Sequence, residues 1–158
     1  MIATASSAAR LDRLVEFGMD FGINYTEQDF VAAVRTYTNG TGVNLVVDSI
    51  GRNNLVRSIQ ALAYRGRAIT VGVAGRDSER PDPVSLWRGN NSMHGVYLPS
   101  SLDLEHARVH AMVQGILEQV ARGELRVVID RIFSLSEAAD AHLHVVGRNA
   151  FGRVLLRP

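Results

Sequence analysis

The sequence predicts an α/β fold: a doubly wound parallel sheet with helices on its faces. Two patterns carry that prediction. Short β-branched and apolar runs alternate with stretches of helical periodicity along the whole chain, the order that builds parallel sheets through crossover helices. The helical stretches end at glycine-containing turns, which return the chain to the next strand. At 158 residues and 46% hydrophobic content the chain is long and apolar enough to bury one domain core.

Each element has its own reason. Met1–Ser7 is a short apolar strand, and Arg10–Phe17 places Leu11, Leu14, Val15 and Phe17 at helical spacing before the stop at Gly18. Phe21–Tyr25 is a short strand or an extended link. Thr26–Asp29 resembles a capping box with Asp in place of Glu, and the helix that follows carries Phe30, Val31, Val34 and Tyr37. It ends at the turn Asn39–Gly42. Val43–Asp48 is a buried strand, Asn53–Tyr64 a helix closed by Arg65–Gly66, and Ala68–Gly72 the next strand. Val73–Asn91, with its glycines, prolines and charges, is a loop. Met93–Leu98 is a further strand and Leu104–Arg122 the longest helix. Arg126–Phe133 is extended, Ser134–Glu137 is a capping box for the helix Ala138–Val146, and Arg153–Leu156 is the last strand.

Composition removes several function classes. The net charge is +1 with both signs dispersed, so no basic stripe exists to displace counterions from nucleic acid. Apolar runs fall far short of the roughly 20 residues needed to cross a bilayer, and the amino terminus lacks the pattern of a signal peptide. Cysteine is absent, which excludes disulfides and thiolate zinc sites and is compatible with a reducing, cytoplasmic setting. His106 and His110 share a helix face at i, i+4, yet no third ligand accompanies them. His142 and His144 fall on different helix faces. No metal site is expected. No Gly-x-Ser-x-Gly elbow supports hydrolysis.

Seven segments in order carry a resemblance: IATASSAARLDRLVEFG, INYTEQDF, GTGVNLVVDSIG, LAYRGRAITVGVAG, MHGVYL, GELRVVIDRIFSLSEAADAH and GRVLLRP. Together they resemble the C-terminal, nucleotide-binding portion of the medium-chain dehydrogenase/reductases, within which the zinc-independent quinone oxidoreductases are most similar. The resemblance implies a Rossmann-like sheet lacking its first strand and glycine-rich turn. It also implies a missing N-terminal GroES-like domain, against which residues 125–158 would pack. Gly72–Gly75 follows a later strand and does not replace the lost turn. Enoyl reductase domains of polyketide synthases are near relatives; Asn24-Tyr25 and the Asp48–Gly51 turn lean away from them.

The resemblance also implies the cofactor, NADP(H). In dinucleotide folds an acid after the second strand selects NAD, whereas a basic or hydroxyl-rich loop accepts the 2′-phosphate of NADP. The Thr4–Arg10 loop has no acid, Ser6 and Ser7 offer hydroxyls at a helix start, and Arg10 supplies positive charge. Ser7 is equally an ordinary N-cap and Arg10 a solvated side chain. Tyr25 matches a tyrosine that contacts the adenosine end, or is a half-buried strand-edge residue. Ser49 and Gly51 match positions near adenine and ribose. Gly72, Val73 and Ala74 match the backbone that approaches the nicotinamide, or form a plain turn. Arg148 matches a late cofactor contact, or is a surface arginine. The implied function is hydride transfer from NADPH to a small molecule, such as a quinone, an enone or an aldehyde/alcohol, with no general acid or base nominated. Met93–Leu98 would be the edge strand of a homodimer. The alternative is a non-catalytic nucleotide-binding or dimerisation module, or an inactive fragment.

Overall fold

The computed structural model describes residues 1–148 and 150–158. The chain divides into two compact units, Met1–Leu98 and Pro99–Pro158. The fold is α/β, and all four strand pairings among the described residues are parallel, as expected of strands joined through helices. No helix among them is long and apolar enough to cross a membrane.

In the first unit β1 (Ile2–Ala5), α1 (Ala8–Val15) and β2 (Phe21–Asn24) form one strand–helix–strand turn, with β1 and β2 paired from Ile2 against Phe21 to Ala5 against Asn24. α2 (Phe30–Tyr37) then leads to a three-stranded sheet of order β3 (Val43–Asp48), β4 (Leu62–Thr70), β5 (Ser92–Gly95), with α3 (Arg52–Gln60) between its first two strands. β1–β2 and β3–β4–β5 are separate sheets. Side chains bridge them instead. Ile23, Phe30, Val34 and Ala61 form one buried cluster that receives Ile2 from β1 and Val43 from β3. A second cluster, Leu55, Ile59, Leu62 and Ala68, seats α3 on β4 and takes Val46 from β3.

The local chemistry departs from the expected caps and boundaries in four places. Asp29, not Thr26, caps α2: its carboxylate accepts the Ala32 N–H at 3.0 Å. Thr26 is held by the Asn24 side chain, which accepts both its N–H and its hydroxyl. The expected helix Asn53–Tyr64 stops at Gln60, because Leu62 already pairs with Val43. The chain then loops out through Arg65, at φ 60°, before re-entering the ladder at Arg67 opposite Leu45. The expected loop contains a short helix, α4 (Val84–Trp87). The strand expected over Met93–Leu98 ends at Gly95, and α5 (Leu98–Leu104) begins where it was to continue.

In the second unit α6 (His106–Ala121) starts after Glu105, which ion-pairs with Arg108 and separates α5 from α6. β6 (Ile129–Ser134) pairs with β7 (Arg153–Arg157), and α7 (Ala138–Val146) connects them. The capping box forms as the sequence requires: Glu137 accepts the Ser134 N–H at 2.8 Å. Asp130 fastens this unit internally, accepting from His144 Nε2 at 2.7 Å and from the Phe151 N–H at 2.9 Å.

Candidate nucleotide-binding site

The carboxyl ends of parallel strands are where open α/β sheets hold ligands. At the end of β1, Ser7 is the N-cap of α1: its hydroxyl accepts the Arg10 N–H at 3.4 Å, and Ser6 beside it is exposed. α1 has no acid in its first turn. The Tyr25 N–H donates to the Ala5 carbonyl at 3.1 Å, which extends the β1–β2 ladder and sets Tyr25, half exposed, beside the Ser6 turn. Ser6, Ser7, Arg10 and Tyr25 therefore gather at one strand end.

Ser49, Gly51, Gly72, Val73 and Ala74 gather at the next, because the turns after β3 and β4 touch. The Val71 N–H donates to the Asp48 carbonyl at 2.9 Å and the Gly75 N–H to the Ile50 carbonyl at 2.7 Å. A methyl group on Gly72 would stand 2.9 Å from the Ser49 carbonyl oxygen, and one on Gly51 3.1 Å from the Gly72 carbonyl oxygen. Gly51 also has φ 70°, so two demands, handedness and space, require glycine there. Ser49, Val73 and Ala74 are exposed at the mouth of these turns. Arg148 lies in the second unit, at φ 56° after α7, and is not among the residues that the first unit brings together.

Two residues outside the candidate set organise this end. Asp48 is 3% exposed and accepts four hydrogen bonds. Its Oδ1 takes the N–H groups of Ile50 (2.8 Å) and Gly51 (2.6 Å), and its Oδ2 takes the Asn54 amide (2.6 Å) and the Ser58 hydroxyl (3.0 Å). The signal was in the sequence: Asp before Ser-Ile-Gly at a strand end is the pattern of a side chain closing its own turn. Arg52 follows Gly51 at φ 58°, a conformation rare for a side chain of that size, and its Nε is buried with no hydrogen-bond partner. Neither feature is visible in a sequence. Asp77 neighbours it: the N–H of Asn53 and then, among weaker causes, the Arg52 charge hold the Asp77 carboxyl below the usual range.

The close-set glycine turns, where a Cβ would intrude on backbone, and the orphaned guanidinium nitrogen beside them fit a dinucleotide held near the backbone. The donor set for a metal does not fit. Among the described residues no three His, Cys, Asp or Glu side chains converge, and His106 and His110 stack on each other at 5.9 Å on α6.

Comparison with known proteins identifies the family. The profile of the zinc-binding dehydrogenases matches residues 17–156. The chain is 29% identical over 156 residues to quinone oxidoreductase-like protein 2 of Bos taurus, covering 99% of this chain and 45% of that protein. It is 30% identical over 163 residues to a 2-haloacrylate reductase of a Burkholderia species, covering 100% of this chain and 48% of that protein. The crystal structure of an NAD-dependent alcohol dehydrogenase superposes with a TM-score of 0.82 at 29% identity, over 99% of this chain and 43% of that one. The chain thus spans less than half the length of these relatives. With most of its length matched in sequence and in three dimensions, the chain belongs to the zinc-binding dehydrogenase family, among the medium-chain dehydrogenase/reductases.

Proposed function

We propose that the chain is the nucleotide-binding portion of an NADPH-dependent oxidoreductase that reduces a quinone or an activated alkene. The relatives include a quinone oxidoreductase-like protein and a 2-haloacrylate reductase, the latter named for a substrate with an activated carbon–carbon double bond. The observation that carries the cofactor assignment is the β1 turn: hydroxyls of Ser6 and Ser7 at a helix start, Arg10 within that helix, and no carboxylate before Asp12. That set favours a phosphate over a free ribose hydroxyl pair. Tyr25 would flank the adenosine end. Ser49 and Gly51 would line the adenine and ribose side, and Gly72, Val73 and Ala74 would let the nicotinamide half approach the backbone. Arg148 is proposed as a further cofactor contact. When bound, the cofactor supplies hydride, and the protein orients it and excludes competing reactions.

The substrate wall belongs to the part of the relatives that this chain does not span. Residues 125–158 are proposed to pack on that part. Leu125, Val127, Ile129, Leu143 and Val146 leave them an apolar surface, with Val146 75% exposed. The β5 edge is proposed to join two copies, and the protein to act in the cytoplasm.

Calorimetric titration with NADPH and NADH tests the cofactor. NADPH is expected to bind more tightly, and Arg10→Glu to cost it about ten- to a hundredfold in affinity, the worth of one charge-assisted hydrogen bond. Equal affinities in the unaltered chain would sink the assignment. Oxidation of NADPH with 1,4-naphthoquinone tests turnover.

A further inference from the structure

A cavity of about 570 Å³ opens at the amino ends of β4 and β5, the end of the sheet opposite the nucleotide-binding turns. Leu62, the first residue of β4, lines it, and so do Gly89 and Asn91 just before β5. Its walls are fixed without a ligand. The Arg65 N–H donates to the Gly89 carbonyl at 2.7 Å and the Asn91 side-chain amide to the Ala63 carbonyl at 2.7 Å, which fastens the segment carrying α4 to the β4 loop. Arg35 of α2 donates from its two terminal nitrogens to the carbonyls of Gly40, Thr41, Gln60 and Leu62, at 2.7 to 3.0 Å. A preformed cavity of this size is in the range that holds small ligands.

Two guanidinium groups line the cavity, those of Arg35 and Arg88, against a single carboxylate, that of Asp82. Among the described residues neither arginine forms an ion pair. The four carbonyls satisfy the terminal N–H groups of Arg35, but they carry no net charge and leave its positive charge uncancelled. Arg88 is exposed, and no group among the described residues accepts from its guanidinium. Asp82 turns one oxygen to the Val84 N–H, at 2.9 Å, and so closes its own turn. The Tyr64 hydroxyl accepts from the Asn90 amide at 3.1 Å, which leaves its own proton for another acceptor. Beside these polar groups, Val84 and Tyr64 are 46% and 69% exposed and offer apolar surface for a bound body to cover.

We propose that this cavity binds a small monocarboxylate with an apolar aromatic body, and does so while a nucleotide occupies the turns at the opposite strand ends. The carboxylate pairs with Arg88 and accepts the Tyr64 hydroxyl proton, and the body lies against Val84 and the Tyr64 ring. Arg35 adds favourable potential from the wall. A cation would meet two guanidinium groups for one carboxylate. A multiply charged anion such as phosphate would leave the apolar wall bare. The inference stands apart from the cofactor assignment, since none of these residues belongs to the β1 or β3–β4 turns.

Titration of the whole chain with 2-naphthoate, read by nuclear magnetic resonance, tests it. Saturable amide shifts are expected at Gln60, Tyr64, Ser85 and Arg88, and none at Ser6, Ser49 or Gly72. Acetate, which has the charge without the body, and 2-naphthalenemethanol, which has the body without the charge, should each bind at least about tenfold more weakly. Arg88→Glu should weaken 2-naphthoate by at least about tenfold, and Arg88→Lys, which keeps the charge, by less. Ser85→Trp, which fills the cavity from its exposed rim, should abolish the shifts with circular dichroism unchanged. Should Arg88→Glu fail to fold, the three probes on the unaltered chain decide. Absence of saturable shifts, equal affinity for the acid and the alcohol, or full affinity in a folded Arg88→Glu would overturn the proposal. So would displacement of 2-naphthoate by excess NADPH, which would place the probe in the nucleotide site.

Discussion

At the scale of single residues, Asp48 does more than its position at a strand end suggests. A buried carboxylate is costly unless its lone pairs are used, and here four donors use them. Oδ1 fixes the turn that carries Ser49 and Gly51, and Oδ2 ties that turn to α3. Asp48→Ala leaves several buried donors without an acceptor. We expect it to lower unfolding free energy by about 3 kcal/mol in urea denaturation. Asp48→Asn keeps an oxygen for the two backbone N–H groups and sets an amide against Asn54 and Ser58, where the hydroxyl can rotate to accept. Its loss should be nearer 1 kcal/mol. Equal losses for the two would mean that the side-chain ties to α3, and not the turn, carry the stability.

At the scale of elements, caps and turn contacts give two further expectations. The Asp29 carboxyl lies below its ordinary value because it accepts the Ala32 N–H and, secondarily, because the Arg57 guanidinium stands 2.7 Å away. A carboxyl lowered by folding contributes stability above its unfolded value of 3.8 and loses it as pH falls through the still lower folded value. The melting-temperature difference between the unaltered chain and Asp29→Ala should therefore be constant from pH 7 to about 5 and shrink below pH 4. A difference that stays level down to pH 3 would show that the cap acts without its charge. Gly72→Ala puts a methyl group 2.9 Å from the Ser49 carbonyl. Because that contact is backbone, the turns must separate, and we expect a loss of about 1–3 kcal/mol together with weaker NADPH binding. Unchanged stability would mean that the two turns part without strain.

The same scale shows what the sequence made legible. Periodicity located α1, α2, α6 and α7, and the Ser134–Glu137 pattern is the cap that forms. The reading failed where tertiary pairing outweighed local pattern. Leu62 continues the helical stripe of Leu55 and Ile59, yet it is paired with Val43, and the strand takes it. Val96–Leu98 is apolar enough for a strand, but the β4 ladder ends opposite Gly95. The candidate residues around the β1 and β3–β4 turns lie at strand ends because strand ends are set by hydrophobic pattern. The Asp48 turn was legible in the Asp-Ser-Ile-Gly pattern, whereas its ties to α3 and the Arg52 backbone angle depend on tertiary structure, which no spacing rule reports.

At the scale of the whole molecule, the outer edge of β5 bears on assembly. The Val96 N–H donates to the Thr70 carbonyl at 2.9 Å, and alternation along the strand places His94 on the same side. Met93 and Gly95 therefore turn their backbone N–H groups away from β4, along an edge that no other strand among the described residues covers. An uncovered edge of this kind is a template for pairing, and a two-fold axis through it would make one sheet from two copies. Proline at position 93 separates pairing from folding. It removes an outward N–H and leaves the β4 ladder its donors, a substitution that edge strands tolerate. If the edge joins two copies, sedimentation should show a dimer for the unaltered chain and a monomer for Met93→Pro, with unchanged circular dichroism and unchanged NADPH affinity. Val47 lies on β3, at the opposite edge of the same sheet, so Val47→Pro should leave the dimer intact. A dimer that survives Met93→Pro and dissociates with Val47→Pro would move the self-association to the β3 edge, and would remove the β5 edge from the assembly.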